Sequence, residues 1–305
     1  MKLATVSTPA GESVAVILDQ KRCLLLSAAA TDLPGDGRCM KALLAAGPAA
    51  LASIRELVAN EPAAAIRELS AVTLLPPVNL PGKLICIARN YREHIEEMAD
   101  TVKPQDLEAP HVFMKPPSTT VIPHGAAIQI PPVAQSIDWE GELAVIIGRS
   151  AKAVAAADAL DYVAGYSIVN DVSEREMQVR QRTDPRPRDH FFDWLNGKWY
   201  DTFAPFGPWL VTADELPDPQ ALEISTHVNG QQMQHLSTAR MIFPVRELIA
   251  YLSAYMTLEP GDVISTGTIS GVGAATGAYL QPGDAVDVRI TGIGTLRNTV
   301  ESSPC

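Results

Sequence analysis

The stretch Ile137-Asp138-Trp139-Glu140-Gly141-Glu142 runs straight into Leu143-Ala144-Val145-Ile146-Ile147-Gly148 and restricts the chain more than any other. Two carboxylates stand two residues apart at the entrance to a strand with no other polar side chain. Strand side chains alternate faces, so Glu140 and Glu142 point the same way. Two like charges on one buried face repel, and taking them out of water is costly. A hard divalent cation is the usual compensation; the plain alternative is a pair of edge carboxylates in water. A third acid argues for the cation. Gly165-Tyr166-Ser167-Ile168-Val169-Asn170 is a second apolar strand-like run, and it ends on Asp171. Three oxygen ligands from two buried strands suit Mg²⁺ or Mn²⁺.

The rest of the chain is read around that site. The 305 residues are 47% apolar, which is ample for a core, and 19% charged, which argues against disorder. A formal net charge of -11 disfavours nucleic acid as a partner, because phosphate binding needs clustered Lys and Arg. No uncharged run reaches membrane-spanning length, and the N-terminus has no apolar signal core. Cys23, Cys39, Cys86 and Cys305 have no metal-type spacing, so a reduced cytoplasmic protein is expected.

Short strands are predicted over Lys2–Ser7, Ser13–Leu18 and Arg22–Leu26, then two helices within residues 40–69 broken near Pro62. Leu75-Pro76-Pro77-Val78-Asn79-Leu80-Pro81-Gly82 reads as a linker. It divides the chain into a small α/β N-terminal domain, 1–75, and a larger domain, 76–305. In the larger one, Pro260-Gly261-Asp262 and Pro282-Gly283-Asp284 each announce a strand. Helices are expected only at Arg92–Met98, Ala155–Tyr162, Val172–Arg182 and Val245–Ser253. The fold class is α+β, mostly β.

Further residues carry chemistry. On a short helix His94 and Glu97 share a face. A carboxylate beside an imidazole fixes its tautomer and raises its basicity, which suits a base that activates water; the alternative is a solvated face. Lys198, in Asn196-Gly197-Lys198-Trp199-Tyr200, has aromatic and turn neighbours, so its ammonium can stabilise an oxyanion or donate a proton, or else snorkel at the surface. Thr266-Gly267-Thr268 offers N–H groups and hydroxyls for a carboxylate cradle. Gly271-Val272-Gly273 is too weak a signal for a nucleotide loop. Residues 181–194, with their arginines, prolines and aromatics, read as a lid over an anionic substrate or as a surface loop packed by its aromatics.

These motifs converge. Arg89-Asn90-Tyr91-x-x-His94-x-x-Glu97, Phe113-Met114-Lys115-Pro116, Asp138-Trp139-Glu140-Gly141-Glu142, Asn170-Asp171-Val172-Ser173, Gly197-Lys198, Gly207-Pro208-Trp209, Val228-Asn229-Gly230 and Thr266-Gly267-Thr268 resemble, in order and spacing, the fumarylacetoacetate hydrolase family over about residues 80–300. The resemblance implies a mixed β-roll or sandwich catalytic domain, usually in homodimers. It implies Mg²⁺ or Mn²⁺ on Glu140, Glu142 and Asp171, a water-activating dyad of His94 and Glu97, and an active-site lysine at Lys198. It implies that Arg89, Tyr91, Gln178 and Thr268 hold the substrate. The chain departs from the pattern at Thr268-Ile269, where Thr-Pro is usual, and at Glu174-Arg175-Glu176; both bear on substrate identity more than on the metal. The implied partner is a small-molecule keto acid. The implied reaction is hydrolysis of a 2,4-diketo acid to pyruvate and a carboxylic acid. The same site could instead serve an oxaloacetate decarboxylase or a 2-hydroxyhepta-2,4-diene-1,7-dioate-type isomerase, and a non-enzymatic binding protein would have no physical reason to keep all these groups together.

Overall fold

The computed structural model describes residues 1–29, 32–98, 107–177, 179, 183, 184 and 186–303. Its central feature follows from the apolar run at residues 143–147. The Gly141–Ile147 strand is buried along its whole length, because both of its faces are covered. Leu143, Val145 and Ile147 enter one core, and Ala144 and Ile146 enter another.

This strand lies in a twelve-stranded sheet. The order across it is Ile66–Glu68, Arg22–Leu25, Gly11–Ile17, Lys2–Thr8, Ala204–Thr212, Val163–Asn170, Gly141–Ile147, Val263–Ser265, Leu84–Ala88 and His111–Lys115; Thr73–Leu75 and Val121–Ile122 pair off this path. The N-terminal strands continue the same sheet, with Lys2 opposite Val211. A five-stranded sheet, ordered Gln231–Ser237, Glu223–Val228, Ala285–Ile290, Gly294–Ser302 and Ala127–Ile130, packs through Ile224, Val286, Val288 and Leu296 into the core that holds Leu143 and Val145. On the other face, Leu43, Leu44 and Ile54 of two helices belong to the same core as Ala144, Ile146 and Val169. The architecture is α+β and mostly β.

Several expected elements form with small shifts, among them Arg92–Glu97 and Val245–Tyr255. Others differ. The early helices are Met40–Ala45 and Pro48–Asn60, so the break falls at Gly47, and Pro62 lies beyond the second helix. Only a 3-10 turn, Ala159–Tyr162, forms within 155–162. The helix expected over Val172–Arg182 is replaced at its start by the strand Ser173–Glu174, paired with Ile137–Asp138. The Glu174 carboxylate accepts the backbone N–H groups of Gln135, Ser136 and Glu176, and this competes with helix formation. A helix spans Pro187–Asn196 instead. Cys23, Cys39 and Cys86 are free thiols, and Cys305 lies outside the described residues. Among the described residues no helix is long and apolar enough to cross a membrane.

Candidate active site

Antiparallel pairing sets Gly141 opposite Asn170 and Glu142 opposite Val169, so Asp171 comes against Glu140 where the two strands end. The Asn170 side chain accepts the Glu140 N–H, and the Asp171 N–H reaches the Glu140 carbonyl at 2.9 Å. Glu140, Glu142 and Asp171 are all buried, with one oxygen from each within 4.8 Å of the others.

Two buried lysines and a half-buried arginine face this trio. Lys198 Nζ donates to Glu140 Oε2 at 2.7 Å and to Asp171 Oδ2 at 2.8 Å. It also lies 5.3 Å from the Phe113 ring and 5.9 Å from the Trp194 ring. Lys115 Nζ donates to Asp171 Oδ1 at 2.5 Å and to the carbonyls of Val172 and Phe203 at 2.9 and 2.6 Å. Arg175 Nη2 stands 2.8 Å from Asp138 Oδ2 and 2.6 Å from Glu140 Oε1. Those two contacts are ionic rather than well-directed hydrogen bonds, while Arg175 Nε donates squarely to Asp138 Oδ2 at 2.8 Å.

These cations do not serve the acids equally. Burial opposes ionisation of Glu140, but chiefly the charges of Lys198 and Arg175 outweigh it and hold that carboxyl well below its usual range. Burial pushes Glu142 well above its usual range, and the charges of Asp171 and Glu140 add to the effect. The hydrogen bonds to Glu142 come from neutral donors, the Ser265 hydroxyl at 2.6 Å and the Gly267 N–H at 2.8 Å, both on Oε2. For Lys198, burial favours the neutral amine, but Asp171 and Glu140 more than reverse this, so the ammonium is a fixed cation. Four buried carboxylates, with Asp138 as the fourth, thus share three cations. This all-oxygen donor set, one positive charge short and converging on a small volume, fits a hard divalent ion.

The dyad lies on the Arg92–Glu97 helix. His94 Nδ1 is 2.8 Å from Glu97 Oε1, and Glu97 Oε2 accepts the Gly271 N–H at 2.7 Å. Asn90 fixes the start of this segment through the Thr266 and Phe243 carbonyls and the Phe243 N–H. Arg89 has a left-handed φ of 59° and places Nη1 3.3 Å from His111 Nδ1. Tyr91 is fully buried, and among the described residues its hydroxyl has no hydrogen-bond partner. The Thr268 hydroxyl donates to the Gly141 carbonyl at 3.2 Å and accepts from Gln234 Nε2 at 2.9 Å, so it also braces the strand entrance. Gln178 lies outside the described residues.

Lys115, Arg175, Asp138 and Gln234 received no role from the sequence. Lys115 carried a usable signal, a lysine ending the largely apolar strand His111–Lys115. Arg175 sits between two glutamates, in the stretch where the chain departs from the family pattern.

A fold of this kind, carrying a cluster of buried acids beside an imidazole–carboxylate pair, defines a class of enzymes. The family model for the fumarylacetoacetate (FAA) hydrolase C-terminal domain matches residues 83–301, and the chain belongs to that family. The human mitochondrial oxaloacetate tautomerase FAHD2A is 38% identical over 265 residues, 86% of this chain and 80% of that protein. The 2-hydroxyhepta-2,4-diene-1,7-dioate isomerase of Mycobacterium marinum superposes with a TM-score of 0.74 at 32% identity, covering 100% of both chains. Maleylpyruvate hydrolase from Sphingobium sp. SYK-6, solved with manganese(II) and pyruvate, gives a TM-score of 0.77 at 28% identity, again over 100% of both chains.

Proposed function

We propose that the chain hydrolyses the carbon–carbon bond of a 2,4-dioxo acid, an acylpyruvate or a sugar-derived equivalent, to give pyruvate and a carboxylic acid. The observation that carries this reading is the 2.8 Å His94–Glu97 contact beside the buried trio of acids. A related hydrolase that holds manganese(II) and pyruvate adds support. Glu140, Glu142 and Asp171 would hold Mg²⁺ or Mn²⁺, which when bound would draw electron density from the 2-oxo acid end and favour its enolate.

The side chains supply the remaining chemistry. His94, with its Nδ1 proton held by Glu97, presents Nε2 as the base and takes a proton from water. The hydroxide oxygen attacks the 4-carbonyl carbon, and the Lys198 ammonium stabilises the resulting alkoxide. The C3–C4 bond breaks with its electrons passing to C3, which then takes a proton from His94. Arg89, Tyr91, Gln178 and Thr268 are assigned to hold the carboxylate and oxo groups. Residues 181–194 are assigned as a lid; deleting them would raise KM or abolish turnover with the fold intact, and unchanged kinetics would rule the lid out. Homodimers and a cytoplasmic location belong to the same reading.

A second reading, keto–enol tautomerisation of oxaloacetate, is favoured by the 38% identity to a tautomerase. The same base would then move a proton between C3 and the 2-oxygen without consuming water.

The test is a panel of acylpyruvates, sugar-derived 2,4-dioxo acids and oxaloacetate, each with Mg²⁺ and with chelator. Metal-dependent pyruvate plus a carboxylic acid supports the hydrolase. Loss of enol absorbance without pyruvate points to the tautomerase, and pyruvate with CO₂ from oxaloacetate alone points to a decarboxylase. Silence across the panel contradicts all three.

A further inference from the structure

We propose that Asp138 and Trp139 form a clamp that positions the His94–Glu97 dyad through the Gly271–Ala274 loop. The inference rests on the base role given to His94 above. Among the described residues Glu97 Oε2 accepts from one backbone donor, the Gly271 N–H at 2.7 Å, so the place of that peptide sets the place of the carboxylate. The loop is gripped twice from across the fold. Trp139 Nε1 donates to the Gly271 carbonyl at 3.0 Å. Asp138 Oδ1 accepts the Gly273 N–H at 2.6 Å, and Oδ2 accepts the Ala274 N–H at 3.0 Å. Asp138 is fully buried and Trp139 is 2% exposed.

The loop cannot easily take up another shape against these contacts. Gly271 has φ +100°, and a Cβ there would lie 2.0 Å from the Met233 carbonyl oxygen. A Cβ on Gly273 would lie 1.9 Å from the Ala278 carbonyl oxygen and 2.8 Å from Asp138 Oδ1. The clamp directly precedes Glu140 in the chain. One dipeptide therefore adjoins the first acid of the trio and, through the loop, positions the base. This registers the base against the bound substrate, where a displacement of about 1 Å can cost up to about 100-fold in rate.

The experiment reads the ring-nitrogen NMR shifts of His94, assigned with His94→Gln, alongside Mn²⁺ affinity by calorimetry. Glu97→Ala supplies the signature of an unheld imidazole. Trp139→Phe removes only the indole donor, and Gly273→Ala pushes the loop off Asp138 from the opposite side. The clamp predicts that both variants move the His94 shifts toward those of Glu97→Ala while Mn²⁺ affinity stays near wild type. With a turned-over substrate, kcat falls more than KM rises. Wild-type His94 shifts in both clamp variants, with Glu97→Ala displaced, would overturn the clamp and leave the dyad standing. Unchanged shifts in Glu97→Ala itself would overturn the dyad and the clamp together. The variants approach the contact from two sides, so loss of fold in one leaves the other to decide.

Discussion

Glu140 and Glu142 stand two residues apart on the same face, yet their surroundings differ in kind. Glu140 lies among full positive charges, Lys198 at 2.7 Å and Arg175 at 2.6 Å. Glu142 is held by a hydroxyl and a peptide N–H. One carboxylate is compensated by the protein itself. The other is equally buried and is pressed toward its neutral form by burial and by its two acidic neighbours. Neutral donors orient a carboxylate but do not balance its charge. The contrast identifies which member of the trio most needs an external cation.

The largest expected effect is on the uncompensated side. Glu142→Ala should lower Mn²⁺ affinity by more than about 100-fold, beyond what loss of an outer partner usually costs, and remove turnover. Calorimetry and the substrate panel check this; near-wild-type affinity would erase the distinction between the two sides. On the compensated side, Lys115→Met strands Asp171 Oδ1 together with the Val172 and Phe203 carbonyls. Breaking a buried pair in this way should destabilise the fold by about 3–5 kcal/mol in urea unfolding.

A smaller effect separates the two acids by pH. Glu142 has a folded pKa raised above 4.5, so its contribution to stability is present below 4.5 and is lost as pH rises through the folded value. Glu140 has a lowered folded pKa, so its contribution is present above 4.5 and is lost as pH falls. In chelator, wild-type stability should therefore drop relative to Glu142→Gln as pH climbs past 4.5. Parallel stability curves would show that Glu142 carries no such burden. The smallest effect is a control far from both acids. Arg55→Ala removes an exposed ion pair to Asp214 and should cost about 0–1 kcal/mol.

What could be read from sequence was local. The acids sit within one motif and at the end of one apolar run, and His94 and Glu97 are three residues apart on one short helix, so spacing alone groups them. The groups that balance and aim them come from far along the chain. Lys115 meets Asp171 across 56 residues, Arg175 meets Asp138 across 37, and Gly273 meets Asp138 across 135. No periodicity encodes such encounters, and none points Arg175 at Asp138. The same limit applies to the sheet. The strands Lys2–Thr8 and Gly11–Ile17 were legible from alternation and turns, but the pairing of Lys2 with Val211 was not. The helix expected after Val172 failed for a related reason, because backbone groups of Gln135 and Ser136 claim the Glu174 carboxylate.

The central claim is that the buried acids hold the metal while a separate dyad moves the proton. His94→Ala tests it most directly, with Mn²⁺ titration and turnover measured on the same sample. The account predicts Mn²⁺ affinity near wild type with turnover reduced by about 10²–10⁴-fold. Turnover near wild type, or loss of Mn²⁺ binding along with activity, would contradict it.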